Sequence, residues 1–366
     1  MTNSEHIELF LKHLEIDALP EDTLYIGSVG FEDRSLGFMN DAANHGKKLK
    51  SCVAIEYRPF NPRNRKTEFA DLAAKVFSTV QWKIYNRKYP ENFTQSLNDV
   101  IELSRSVSLI VVDISGMSKM LVVVLLYGLR KRNLPLSIIY APAKIYHPMK
   151  DNYEKVKSKF SGSFPYFLTT DVYRVVTTIE LSSIAMQGAP LAMIAFPNFN
   201  HLEIAALLNE TNAQKLFLIE SIKDPKQNAW RLEAIRWINR GLKTYVTPQC
   251  QEVDASDINA NIRILESIYN DYHLTHKIVL SPTGGKLQAV ATFCLKIMHP
   301  DIHIVYPVVR EFAEDYTEGY LAHSEIFFQS FGDYTNRLDQ YRLRGLSEIE
   351  QILESIMKKA SSTSDL

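Results

Sequence analysis

Apolar positions along this chain fall into two kinds of run that alternate. Short unbroken runs at residues 24–27, 52–55, 109–112 and 278–280 have the length and aliphatic content of buried parallel strands. Between such runs the apolar positions recur at helical spacing, as in Leu287, Val290, Ala291, Cys294, Leu295 and Met298. Residues 80–85 read as a further strand and 93–103 as a helix. Strand and helix in alternation predict a parallel sheet with helices on its faces.

The alternation also repeats. Residues 277–307 read strand, small polar loop, apolar helix, strand, and residues 109–140 read the same way, with Lys119 where Lys286 falls. Glu56 closes the run 52–55 and Asn64 follows it. Glu220 closes 216–219, and Asn228 follows at the same distance. The first strands, 24–27 and 191–195, match as well. The pattern predicts an α/β chain of two tandem Rossmann-like units with mainly parallel sheets, related by duplication and a pseudo-twofold. The units are placed at 1–165 and 190–330, with a connecting strand and linker at 166–189 and a C-terminal helix and frayed tail at 331–366.

Smaller elements complete the reading. Ile7, Phe10, Leu11, Leu14 and Ile16 predict a helix over residues 5–18, and 153–160 another. Residues 171–181 read as β-rich, 324–329 as a strand, and 338–358 as a final helix with an apolar stripe. Trp230, Arg231, Arg236, Trp237 and Arg240 share a helix, the two Trp as core residues.

Composition narrows the class. With 366 residues, 46% hydrophobic and 23% charged, the chain can bury two cores. Basic and acidic residues nearly cancel, 41 against 42, so no global field favours long nucleic acid; a local basic pocket for a small anion stays open. Cys52, Cys250 and Cys294 are odd in number and widely spaced, which argues against a disulfide framework or a zinc site and for a reducing, cytoplasmic location. The longest apolar stretch, 120–126, is too short to span a bilayer, and no basic leader precedes an apolar core. Neither a membrane, a metal nor a cofactor is expected.

The candidate chemistry gathers at strand ends. Thr283, Gly284, Gly285 and Lys286 lie between a strand and a helix, where unpaired N–H groups and the helix dipole attract an anion, most naturally a phosphate. Ser115, Gly116, Ser118 and Lys119 form the counterpart loop; Asp113 before it braces that loop or acts as a base or metal ligand. Ser28 and Gly30 open the loop after the first strand. Glu32, Asp33 and Arg34 there are the catalytic candidates, or else charges that start a helix and pair with one another. Glu56 is placed to accept from ribose hydroxyls or to pair with arginine. Arg58, Arg63, Arg65 and Lys66 clamp phosphates or are solvated. Lys144, Tyr146, His147 and Lys150 line the same crevice or the surface. The second unit's first loop, F-P-N-F-N-H-L-E, has no glycines matching Gly27 and Gly30. G-x-x-x-x-G-K-[ST], G-x-G-x-x-G, H-E-x-x-H, C-x-x-C and a Ser-His-Asp set are all absent, so a ligand sensor is expected over a hydrolase or zinc enzyme.

The strand, T-G-G-K loop and amphipathic helix of residues 277–298 resemble the signature loop of CRISPR-associated Rossmann-fold (CARF) domains. The resemblance implies a sensor of cyclic or linear oligonucleotide second messengers in prokaryotic antiviral defence, with a tandem pair or dimer forming one symmetric site. Thr283, Gly284, Gly285 and Lys286 would contact the messenger, Ser115, Gly116, Ser118 and Lys119 would form a degenerate partner loop, and residues 28–34 would face the ligand. An effector protein would be the partner, and a homo-oligomer is compatible. Two alternatives stand beside it: an enzyme acting on a nucleotide or phosphoribosyl substrate, messenger cleavage included, and a non-catalytic interaction subunit of a defence complex.

Overall fold

A computed structural model describes residues 8–341 apart from 163, 223, 224 and 243. The first half runs β1 (Lys12–His13), β2 (Thr23–Val29), α1 (Gly37–Asn44), β3 (Leu49–Arg58), α2 (Lys66–Val76), β4 (Phe77–Asn86), α3 (Thr94–Leu103), β5 (Leu109–Asp113), α4 (Lys119–Leu129) and β6 (Leu136–Tyr140). A connecting region follows, with β7 (Ile145–Tyr146), α5 (Lys150–Ser158) and β8 (Thr169–Val176). The second half runs β9 (Leu191–Ala195), α6 (His201–Thr211), β10 (Lys215–Ile222), α7 (Pro225–Asn239), β11 (Pro248–Asp254), α8 (Ile258–Tyr272), β12 (Lys277–Ser281), α9 (Lys286–Met298) and β13 (His303–Ile304). β14 (Tyr306–Phe312), β15 (Thr317–Glu318) and β16 (Ser324–Phe328) are the last strands among the described residues.

The molecule is mixed α/β, built on two mainly parallel sheets. In the first the order is β1-β16-β6-β5-β2-β3-β4, and in the second β11-β10-β9-β12-β13. Every residue of β2 and β5 is buried, as expected for strands covered on both faces. Within each sheet the five parallel strands follow one order: β6-β5-β2-β3-β4 matches β13-β12-β9-β10-β11. β16 and β1 add antiparallel strands to the first sheet beside β6.

Helices α4 and α9 pack against each other between the sheets. Met120 to Leu126 of α4 are all buried, and so is each residue of α9 from Leu287 to Met298. One apolar cluster therefore runs from Ile26 and Val112 through Leu121 and Leu125 to Val290, Leu280 and Ile219. Each fully buried Leu or Val in it contributes roughly 1.5–3 kcal/mol. Lys296, inside α9, is tolerated there because its ammonium donates to the carbonyls of Pro300 (2.8 Å) and Ile302 (2.7 Å).

One sequence expectation is corrected. Residues 8–18 do not form a helix: Leu9 exchanges backbone bonds with the Asn259 amide (2.9 Å each way), β1 pairs with β16, and a short 3-10 turn follows at Ile16–Ala18. Phe10, on the supposed apolar face, is 61% exposed, so long-range pairing overrides the helical period. The strand at 324–328 lies in the first sheet, antiparallel to β6. Residues 331–341 are helical, and the remainder of the helix expected over 338–358 lies outside the described residues. The β-rich stretch after residue 171 forms as β8, which pairs antiparallel with β14.

Candidate functional site

Because α4 and α9 pack side by side, the loops at their N-termini meet. The loop after β5 is braced from within. Asp113 accepts from the Ser115 N–H and the Tyr25 hydroxyl, both at 2.9 Å, and the Ser115 hydroxyl accepts from Ala141 N (2.9 Å). Ser118 caps α4 by accepting from Leu121 N (3.3 Å), and its own N–H donates to the Tyr57 hydroxyl (2.7 Å). A side chain at Gly116 would meet Ser35 Cβ at 2.9 Å and Ser28 Oγ at 3.1 Å, so only glycine lets this loop approach β2. Ser28 itself is buried, with its side chain beside the Tyr57 hydroxyl. Gly30 accepts from Arg65 N (3.1 Å).

The loop after β12 is braced differently. Thr283 Oγ1 donates to the Phe196 carbonyl (2.8 Å) and accepts from Phe196 N (3.0 Å), tying β12 to the end of β9. Gln288, one turn into α9, reaches back to accept from Gly285 N (2.7 Å) and donates to Asn261 (2.9 Å). One donor expected to face a ligand is thus used internally. Gly284 sits against Gln288 and Phe196 with no room for a side chain.

The two lysines cross between the halves. Lys286 donates to the carbonyl of Met117, in the opposite loop. Burial, with repulsion from Arg34 and Lys119 and partial relief from Glu32 and Asp113, brings its ammonium down to about 7. Lys119 projects the other way, its ammonium 5.8 Å from the centroid of the Tyr306 ring. Burial would lower it, but Tyr306, Tyr316 and Glu203 outweigh that and hold it above the ordinary lysine value.

The first-loop acids are committed elsewhere. Glu32 and Arg34 form a buried ion pair at 2.6 Å, and Glu32 also accepts from the Thr317 hydroxyl (2.7 Å). Asp33 accepts from Arg65 (2.6 Å) and from Gly319 N (2.7 Å). Arg63 donates to the carbonyls of Phe312 (2.8 Å) and Ala313 (2.7 Å). These groups fasten residues 312–319 over the carboxyl end of the first sheet, where Phe31, Phe312 and Tyr316 pack edge to face or tilted. Glu56 holds Arg58 (2.5 Å) and Lys66 (2.8 Å), and these partners outweigh its burial to lower its carboxyl.

Of the other basic-loop candidates, Tyr146 sits near Arg34, whose guanidinium lies 5.9 Å from its ring centroid, and shares a hydrogen bond with Tyr140 (3.0 Å). His147 pairs with Glu318 (2.7 Å), while Lys150 faces Glu154 on the surface. Arg231 clamps the connecting region from α7 by donating to the carbonyls of Tyr146, His147 and Pro148 at 3.0–3.1 Å. Trp237 is core, among Tyr153, Phe160 and Phe164. No cluster of three metal-ligating side chains occurs among the described residues.

Glu203, Tyr306 and Tyr316 were not singled out by the sequence. Glu203 is buried on α6, its carboxylate accepting from Asn198 (3.0 Å). Burial pushes its carboxyl up, and Lys119, Asn198 and Thr169 offset part of that. Its only sequence signal is N-x-x-E from Asn200, which reads as a capping box. In the fold Asn200 does cap α6, accepting from Leu202 N (3.1 Å), while Glu203 turns toward Lys119. Tyr316 is pushed up to about 12 by burial against the pull of Lys119.

No protein-family model matches the chain, and no curated protein matches it either.

Proposed function

We propose that a nucleotide-type anionic ligand, a cyclic or linear oligonucleotide messenger, binds between the two halves where α4 and α9 begin, and that the protein acts as a sensor in antiviral defence. The observation carrying this reading is the pair of crossed lysines: Lys119 and Lys286 begin facing helices, and each reaches the opposite half. An anion between them would meet two cations and two positive helix ends. Tyr306 and Tyr316 would offer faces for a base, and Glu203 an acceptor for a ribose hydroxyl or a base amino group. The shared strand order and the matched loops support a duplicated, pseudo-twofold origin, and with it the CARF resemblance.

A second reading is favoured by Glu203. A buried carboxyl held above its usual range beside a lysine has the makings of a general acid or base, so the bound nucleotide would be turned over.

One experiment separates these. Thermal shift against mono-, di-, linear oligo- and cyclic oligonucleotides reads binding to the folded state, and chromatography of the recovered nucleotide reads turnover. A shift lost in Lys286→Ala with the nucleotide recovered intact supports the sensor. Turnover lost in Glu203→Gln supports the enzyme, and no shift with any nucleotide overturns both.

A further inference from the structure

One flank of the first sheet carries more positive charge than its carboxylates match. Arg65 is paired with Asp33 and Glu68, and Arg58 and Lys66 with Glu56. Arg87, Lys88 and Arg174 have no carboxylate partner among the described residues. These three come together because Arg87 N donates to Arg58 O (2.8 Å), joining the loops after β3 and β4, while β8 lies alongside.

The contact with β8 is reciprocal. Lys88 Nζ sits 3.5 Å from the centroid of the Tyr173 ring, and the guanidinium of the next β8 residue, Arg174, sits 5.3 Å from that of Tyr89. Each element thus gives the other a cation and a ring. The rings still face water, Tyr89 at 40% and Tyr173 at 43% exposed, with Phe60 nearby in sequence to the Arg58 loop at 55%. Exposed rings alternating with uncompensated cations match the repeat of a single strand, in which a flat base follows each phosphate. A duplex hides its bases and would use only the charges. The row also leads inward: Arg87 lies over Phe312 (5.0 Å) and is within electrostatic reach of Tyr306, the ring that carries Lys119.

We infer that this flank binds single-stranded nucleic acid, with phosphates on Arg87, Lys88 and Arg174 and bases on Tyr89, Tyr173 and Phe60. The direction of travel rests on the nucleotide reading of the site between the halves: a linear chain with one end between Lys119 and Lys286 would continue across the flank, whereas a small ring would stay there. The near-zero net charge is no obstacle, because three local phosphate contacts suffice for a weak, salt-sensitive complex.

The test is fluorescence anisotropy of a fluorescein-labelled short oligothymidylate, against a duplex of the same length. The single strand is expected to bind more tightly, with log affinity falling against log salt at a slope of about −2. Lys88→Ala with Arg174→Ala should cost about tenfold and flatten the slope, while Tyr89→Ala with Tyr173→Ala should cost at least about tenfold and leave the slope intact. Thermal melting of each variant checks that it is folded. Equal affinity for duplex and single strand, or no change in either double variant, overturns the inference. The two proposals fail separately. A mononucleotide shift that needs Lys286 but not Lys88 or Arg174 keeps the site between the halves when the flank fails, and oligothymidylate binding that survives Lys286→Ala keeps the flank when that site fails.

Discussion

The ammonium of Lys286, in the second half of the molecule, donates to the main-chain carbonyl of Met117 in the first. The lysine that most invites an anion is therefore already engaged, and a ligand must offer it more than one carbonyl does. Replacing it with alanine should abolish any nucleotide-dependent thermal shift. The Met117 bond is worth only about 1 kcal/mol and the unfavourable burial of the amine is relieved at the same time, so the folded state should not be weakened by more than that. Denaturant titration reads the second quantity, and a retained shift would remove Lys286 from the site.

The same residue sets a pH dependence. Its ammonium titrates near 7 in the folded chain against an ordinary value of 10.5. Between those limits the unfolded chain holds a proton that the folded chain lacks, so this group makes stability rise with pH across that window and adds no further change below it. A bound anion favours the charged amine, so nucleotide affinity should fall as pH rises through about 7. Lys286→Arg, which stays charged, should flatten the curve. Isothermal titration at several pH values measures both, and a wild-type affinity insensitive to pH through neutrality would refute the assignment.

Glu32 and Arg34 are 9% and 5% exposed at their side chains, so removing one leaves the other charged in a dry place. Glu32→Ala should cost about 3–5 kcal/mol. It also removes the acceptor of Thr317, so amide exchange in residues 312–319 should quicken more than in β5. Unchanged protection there would show that the segment is fastened by other contacts alone.

Thr283 serves the two main-chain groups of Phe196 with one hydroxyl. Thr283→Val keeps the shape and strips that hydroxyl, which should lower stability by about 1–3 kcal/mol, while Thr283→Ser should recover most of it. Equal stability of the valine variant and the wild type would mean that the loop finds other partners.

The parts legible in the sequence are those whose cause is local. β2 and β5 are buried on both faces, so their runs read as strands without reference to any neighbour. The small, polar loops before Lys119 and Lys286 were legible for the same reason. β1 was not, because it exists only through its pairing with β16, far along the chain. Nor could the sequence give the direction of the lysines. Glu203 carries only a capping pattern in the sequence, and it is the packing of α6 against β8 and β14 that turns it toward Lys119. Gln288 does not stand out in the sequence either, although it takes the N–H of Gly285.

The place of β16 in the first sheet governs how this protein is made. During synthesis β2 to β6 leave the ribosome early, yet the strand that covers β6 follows only after the whole second sheet has emerged. Until then Ile138 and Ile139 lack the neighbours Ile326 and Glu325 that cover them in the finished fold. That open edge is an invitation to pair with other nascent chains. A fragment ending near residue 165 would carry it permanently, so the halves are not interchangeable modules, and the last of the described strands seals the first sheet begun.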